Sequence, residues 1–149
     1  MIRSCVSPWL ETQRSEGAKA VKTQEDELSH AILGAAIEVH RVLGGPGLLE
    51  RVYEEALKYE LELRGLAVRR RVPVPIHYKG RRLATDLQLD LLVEERVVVE
   101  CKAVTSFHPV FLAQALTYLR LLDLRLALVL NFGARFLKDG IHRVVWRLR

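Results

Sequence analysis

The sequence predicts an α/β domain, a mixed β-sheet with helices against its faces. Three observations lead there. The order of periodic segments is helix, helix, strand, strand, strand, helix, strand, strand. The helical segment between Lys102 and Ala127 makes a crossover, so the strands on either side of it are expected as parallel neighbours. The run Ala127 to Phe132 is almost continuously apolar, the pattern of a strand buried on both faces. A chain of 149 residues, half of them hydrophobic and 28% charged, can bury a real core as one domain, which sets it apart from disordered or fibrous classes. No apolar run approaches membrane-spanning length, and the first residues lack a signal-peptide core. The two cysteines, Cys5 and Cys101, give neither a disulfide framework nor zinc spacing, which fits a reducing, cytoplasmic setting. A net charge of +5 and a pI near 9.5 point to a polyanionic partner.

Residues 1–22 mix Ser, Pro, Gly, Arg and Glu without a sustained period and read as a disordered leader, leaving 23–149 as the domain. The first helix is expected from Thr23, which with Asp26 resembles a capping box followed by acidic first-turn residues. Leu28, Ile32, Ala35, Val39 and Leu43 give it a helical stripe, and Gly44-Gly45-Pro46-Gly47 stops it. The second helix is expected from about Leu49 to Arg64, with Leu49, Val52, Tyr53, Ala56 and Leu63 on or near one face and Gly65 at its C-terminal cap. Glu50 in its first turn complements the helix dipole. Tyr53 reads as core packing with a hydroxyl handle. His40, alone of its kind there, reads as a hydrogen-bonded structural residue rather than a ligand.

Val72, Val74, Ile76 and Tyr78 then alternate, and Pro73 and Pro75 place that strand at a sheet edge. Lys79-Gly80 turns the chain into a strand from Arg82 to Val93. Arg69, Arg70, Arg71, Lys79, Arg81 and Arg82 make this the most basic stretch, either a solvated edge or a rim that contacts phosphates. Leu87 to Val93 and Val97 to Ala103 read as a hairpin. Three charged residues, Asp90, Glu100 and Lys102, are set into it, where apolar packing has no use for them. Glu100 and Lys102 are two apart and share a face; Val99 and Cys101 point to the other. Two carboxylates and an ammonium on one rigid surface suit one divalent metal ion and one activated water. For Asp90 to share the face of Glu100, the connection must be odd, such as Glu94-Glu95-Arg96, or the hairpin must contain a bulge. Beyond the Thr105–Pro109 loop a third helix follows. Phe111, Ala115 and Leu119 would pack it on the sheet, with Gln114 and Tyr118 stacked four apart. Ile141 to Trp146 supplies the last strand.

This pattern, Asp90 followed by Glu100-Cys101-Lys102 on a hairpin and by Gln114 on the next helix, resembles the PD-(D/E)xK nuclease superfamily. Upstream, Gly47-Leu48-Leu49-Glu50-Arg51-Val52-Tyr53 resembles the Gly-x-x-Glu-x-x-Tyr signature of the small bacterial proteins named after it. Ala36 to His40, Gln114 to Leu119 and Asn131-Phe132 agree as flanks, and the resemblance extends from about Leu28 to the C-terminus. Cys101 departs from it, since the family more often has an aliphatic residue there.

The resemblance implies a restriction-endonuclease-like fold and a metal-dependent nuclease acting on nucleic acid, with DNA the expected substrate. Asp90 and Glu100 would hold Mg²⁺ or Mn²⁺, helped by the backbone carbonyl of Cys101, with Glu50 completing the acidic cluster. Lys102 would position the attacking water or stabilise charge on the phosphate, and Gln114 would orient the nucleophile or a phosphate oxygen. The basic residues from Arg69 to Arg82, with Tyr118, would contact the nucleic acid. The alternative is a module that keeps the nuclease fold and binds nucleic acid or protein without turnover.

Overall fold

A computed structural model describes residues 5–6 and 21–147 of the chain. The leader expected over 1–22 lies mostly outside the described residues. Within it Cys5–Val6 (β1) pairs antiparallel with the last strand. Helix α1 (Gln24–Val42) starts at the Thr23 cap: Thr23 Oγ1 accepts from the Asp26 N–H, and the Asp26 carboxylate accepts from the Thr23 N–H. Its expected stripe of Leu28, Ile32, Ala35 and Val39 is buried. Gly44, Gly45 and Gly47 all have positive φ, which only residues without a Cβ adopt freely, and they turn the chain into α2 (Glu50–Leu63).

The buried face of α2 is only partly the one expected: Tyr53 is buried and Ala56 packs against the core, but the rest of the face differs. Leu49 and Leu63 are 71% and 63% exposed, while Tyr53, Glu54, Leu57 and Leu61 are buried. The apolar residues of this helix outnumber those that one stripe can hold, and packing selects the Tyr53–Leu57–Leu61 row. Gly65, also at positive φ, follows the last turn.

Strands β2 (Val68–Val74), β5 (Leu87–Val93), β6 (Val97–Lys102), β7 (Leu126–Asn131) and β8 (Ile141–Val145) join β1 in a six-stranded sheet of order β1-β8-β7-β6-β5-β2. Among the described residues only β6 and β7 pair in parallel, joined by helix α3 (Val110–Leu122) as the crossover requires. Pro73 lies in β2, the edge strand, where its missing N–H costs no ladder bond to a further neighbour. Past Pro75 the chain leaves the sheet. Tyr78 belongs to a separate two-stranded ribbon, β3 (His77–Tyr78) with β4 (Arg81–Arg82), so the single strand expected from Arg82 to Val93 is in fact two.

Two apolar layers enclose the sheet. Helices α1 and α2 pack with Leu91, Val93, Val97, Val99, Cys101, Leu126, Leu128 and Leu130. Helix α3 packs on the other face with Val72, Val74, Leu89, Leu92, Val98, Ala127 and Val129. Alternation holds along β6 and β7 and fails in the adjoining pair. Val68, Leu91 and Val93 face α1 and α2, yet Val72, Val74 and Leu89 face α3. The reversal falls between the ladder pairs Arg70–Leu91 and Val72–Leu89, at Arg71 and Asp90. Arg71 takes φ of 55°, a left-handed conformation that a strand residue rarely adopts.

Candidate active site

The site is built where the β5–β6 hairpin stops pairing by main chain alone. Val93 pairs with Val97, so the connection is Glu94-Glu95-Arg96, the odd length expected from parity. Glu94 and Glu95 both have positive φ, and the Arg96 N–H donates to the Val93 carbonyl. The constant register puts Asp90 across from Glu100, one step beyond the last ladder pair, Leu91–Val99. There the two side chains stand in for main-chain acceptors. The Asp90 N–H donates to Glu100 Oε1 at 3.0 Å, and the Cys101 N–H donates to Asp90 Oδ2 at 2.8 Å. Each carboxylate is thus fixed by the other's strand, and each keeps one oxygen, Asp90 Oδ1 and Glu100 Oε2, with no protein donor among the described residues.

Burial is the largest influence on both acids, and it pushes each upward. Desolvation pushes Glu100 up to about 8, with the Asp90 charge adding to it and the Asp90 N–H and Lys102 opposing. Asp90 is pushed up to about 6, again chiefly by burial, against the hydrogen bond from Cys101, with Glu54 and Glu50 raising it further. Glu50, at the start of α2, is also raised by burial, offset by Lys102 and reinforced by Glu54. These mutual effects put Glu50, Glu54, Asp90, Glu100 and Lys102 in one electrostatic neighbourhood.

Glu54 is the member that reading the sequence missed. It is buried, and its carboxylate takes Arg70 at 2.7 Å and Arg71 at 3.4 Å. Choosing the Leu57–Leu61 row as the buried one would have put Glu54 on the edge of the buried face and one turn from Glu50. Asn131 was also missed as an organiser. Its side chain accepts from the Val104 and Gly133 N–H groups and donates to the Val104 carbonyl, bracing the chain beyond Lys102. A polar residue ending the apolar β7 run was the available signal.

Lys102 shares the Glu100 face, as i, i+2 spacing demands, and its ammonium lies 4.7 Å from the centre of the Phe111 ring. Among the described residues it makes no ion pair. Cys101 points the other way into the core, its thiol pushed far up by burial. Its N–H and carbonyl emerge on the same side of β6, toward Asp90, since a residue's two main-chain groups share a side in a strand. Gln114 is exposed on α3.

The structure redistributes the expected nucleic-acid contacts. Tyr118 is buried and donates its hydroxyl to the Gln88 carbonyl; burial, then Glu100 and Asp90, push it to about 12. It lies within the electrostatic reach of the acid pair and is largely covered. Arg70 turns inward onto Glu54, with Arg71 beside it, because a buried carboxylate needs a partner. Arg69 forms a forked pair with Glu95 and Arg82 pairs with Asp86, both exposed. Lys79 and Arg81 remain on the β3–β4 ribbon, Lys79 over the Tyr78 ring. His40 is buried, its Nε2 2.9 Å from the Ala134 carbonyl, a structural role as expected. Tyr53 stacks on Phe132 at 4.7 Å and ties down the glycine turn by donating to the Gly45 carbonyl and accepting from the Leu48 N–H.

The donor set fits a hard divalent cation. It offers free carboxylate oxygens and a main-chain carbonyl, and two buried acids that repel each other when ionised gain from a compensating charge. Among the described residues no three His, Cys, Asp or Glu side chains close into a ready-made cage. A cation there would rest on Asp90, Glu100, the Cys101 carbonyl and water.

No helix among the described residues is long and apolar enough to cross a membrane. No curated protein and no solved structure matches the chain. A family model for the PD-(D/E)XK nuclease superfamily matches residues 26–144, a span that takes in both helices before the hairpin, the acid pair, Lys102 and the crossover. Members of that superfamily typically use divalent metals and act on nucleic acid, and the mixed sheet between helices is the restriction-endonuclease-like arrangement. Matched over most of its length, the chain belongs to the PD-(D/E)XK nuclease superfamily.

Proposed function

We propose that this protein is a cytoplasmic metal-dependent nuclease that hydrolyses phosphodiester bonds in DNA, of the Gly-x-x-Glu-x-x-Tyr group, with Mg²⁺ or Mn²⁺ as its ion. The observation that carries the reading is the reciprocal clamp of Asp90 and Glu100, with Lys102 beside them on the same strand face. Asp90, Glu100 and the Cys101 carbonyl would hold the ion, and Glu50 would complete the acidic wall. The ion supplies Lewis acidity and an activated water. Lys102 stands ready to meet charge developing on the phosphate or to orient the attacking water. Gln114, exposed on α3, orients the nucleophile or a phosphate oxygen. Glu54 neutralises Arg70 and Arg71 and sets the field felt by Asp90.

The test is cleavage of linear and circular DNA, and of RNA, with Mg²⁺, Mn²⁺ or chelator. Cleavage that needs a divalent ion supports the reading. Binding without cleavage under every metal would replace it with a non-catalytic binding module.

A further inference from the structure

A second surface opens between the glycine turn after α1 and the loop after β7. It is a cleft of about 580 Å³, walled by Ile37, Arg41, Gly45, Arg135, Phe136 and Lys138. Phe136 is 54% exposed, although a phenyl ring gains by burial. Two cations flank the ring, with the Arg135 guanidinium 5.2 Å and the Lys138 ammonium 5.8 Å from its centre. Every ionisable side chain in the walls is basic.

The loop that displays Phe136 is held firmly. Leu137 is buried in the core beside it. A Cβ at Gly140 would collide with the Asn131 carbonyl, and one at Gly133 with the Val104 backbone. Both walls are rooted in the site already described. The β7 loop departs from Phe132, whose N–H donates to the Lys102 carbonyl at 2.7 Å. The opposite wall is tied through the Gly45 carbonyl to Tyr53, one turn from Glu50 on α2.

We propose that this cleft is a nucleobase subsite, taking one unpaired nucleotide of the substrate strand with its base stacked on Phe136. Arg135 and Lys138 meet its phosphates; Arg41 is already held by Glu38 at 2.7 Å. The inference rests on the nuclease reading and adds a substrate preference for strands with unpaired residues, such as overhangs or single strands. An exposed ring with cations around it and no acid in the walls matches a ligand with a π-face and negative charge. A base inside a duplex has both faces occupied by its neighbours and cannot supply that face. The volume is of the order that one small ligand fills.

The experiment measures binding by fluorescence anisotropy in chelator, with a single-stranded oligonucleotide and a blunt duplex of equal length, and cleavage of blunt and overhanging duplexes with Mg²⁺. Phe136→Ala should weaken single-strand binding by about 5- to 100-fold and leave the blunt duplex within about twofold. Phe136→Trp should retain single-strand affinity. The double variant Arg135→Ala/Lys138→Ala should flatten the salt dependence for the single strand. Equal affinities for wild type and Phe136→Ala, or equal losses on both substrates, would overturn the subsite while wild-type cleavage keeps the nuclease reading standing. A wild type that binds and cleaves neither substrate would sink both. Self-association abolished by Phe136→Ala, seen by size exclusion, would give the cleft to a second copy of the chain instead.

Discussion

Lys102 and Glu100 stand two residues apart on one strand, yet their loss should have opposite signatures. The Lys102 ammonium rests over Phe111, outside ion-pair distance of any acid among the described residues, so removing it breaks no buried pair. Lys102→Ala should therefore fold and bind metal, and lose cleavage by about 10²–10³, the scale of one preorganised electrostatic contact. Equal cleavage by the variant in a matched Mg²⁺ assay would remove Lys102 from the chemistry. Glu100 is the opposite case, because its protonation is tied to folding. Its folded pKa, about 8, lies above the ordinary carboxylate value of 4.5, and that of Asp90, about 6, lies above 3.8. The folded chain thus binds more protons than the unfolded one between those limits, and stability without metal falls as pH rises from near 4 to about 8. Glu100→Gln should flatten that fall in thermal melts and be the more stable protein at the alkaline end. Mg²⁺ should raise the wild-type midpoint more at about pH 8 than at about pH 5, since it competes with a proton only where one is bound loosely enough to leave. A variant whose melts track the wild type at every pH would show that burial does not hold these protons.

Helix α2 tests the packing at the scale of an element. Leu57 is fully buried in the Tyr53–Leu57–Leu61 row, whereas Leu49 and Leu63 face solvent. Leu57→Ala should cost about 2–5 kcal/mol of stability by leaving a cavity. Leu49→Ala or Leu63→Ala should stay within about 0.5 kcal/mol. Denaturant midpoints in the reverse order would mean that the helix is rotated from the face described. Such contrasts mark what the sequence could and could not convey. The hairpin was legible because parity is arithmetic: three charged positions had to share a face, and only an odd connection or a bulge allowed it. The Thr23 cap, the glycine turn and the crossover were legible because each depends on neighbours in the chain. The rotation of α2 was not, since its surplus apolar residues fitted several stripes and only the sheet beneath chose among them. Nor was the reversal at Arg71 and Asp90, which needs two strands strained together and leaves no trace in either alone. Glu54 stayed hidden for the same reason. A charged residue on a helix reads as solvated until the partners that bury it, Arg70 and Arg71, arrive from another strand.

At the scale of the whole molecule, a net charge of +5 says that a polyanion is attracted but not where it lands. The structure separates basic residues already neutralised from those still available. Arg70 and Arg71 are committed to Glu54, and Arg69 and Arg82 to exposed partners. Lys79 and Arg81 stand on a ribbon outside the main sheet, beside an exposed Tyr78, with no carboxylate partner among the described residues. If the ribbon grips the phosphate backbone, Lys79→Ala and Arg81→Ala should each lower the magnitude of the log–log salt slope of DNA binding by about one, the counterion released per phosphate contact. Arg69→Ala should change the slope less, because its charge is already met by Glu95. Arg70→Ala should act mainly on stability, leaving the buried Glu54 with only the longer Arg71 contact, at a cost of about 1–3 kcal/mol. Binding isotherms at several salt concentrations and thermal melts on the same four variants distinguish these outcomes. A slope unchanged by Lys79→Ala and Arg81→Ala, yet flattened by Arg69→Ala, would move the phosphate track from the ribbon to the edge of β2.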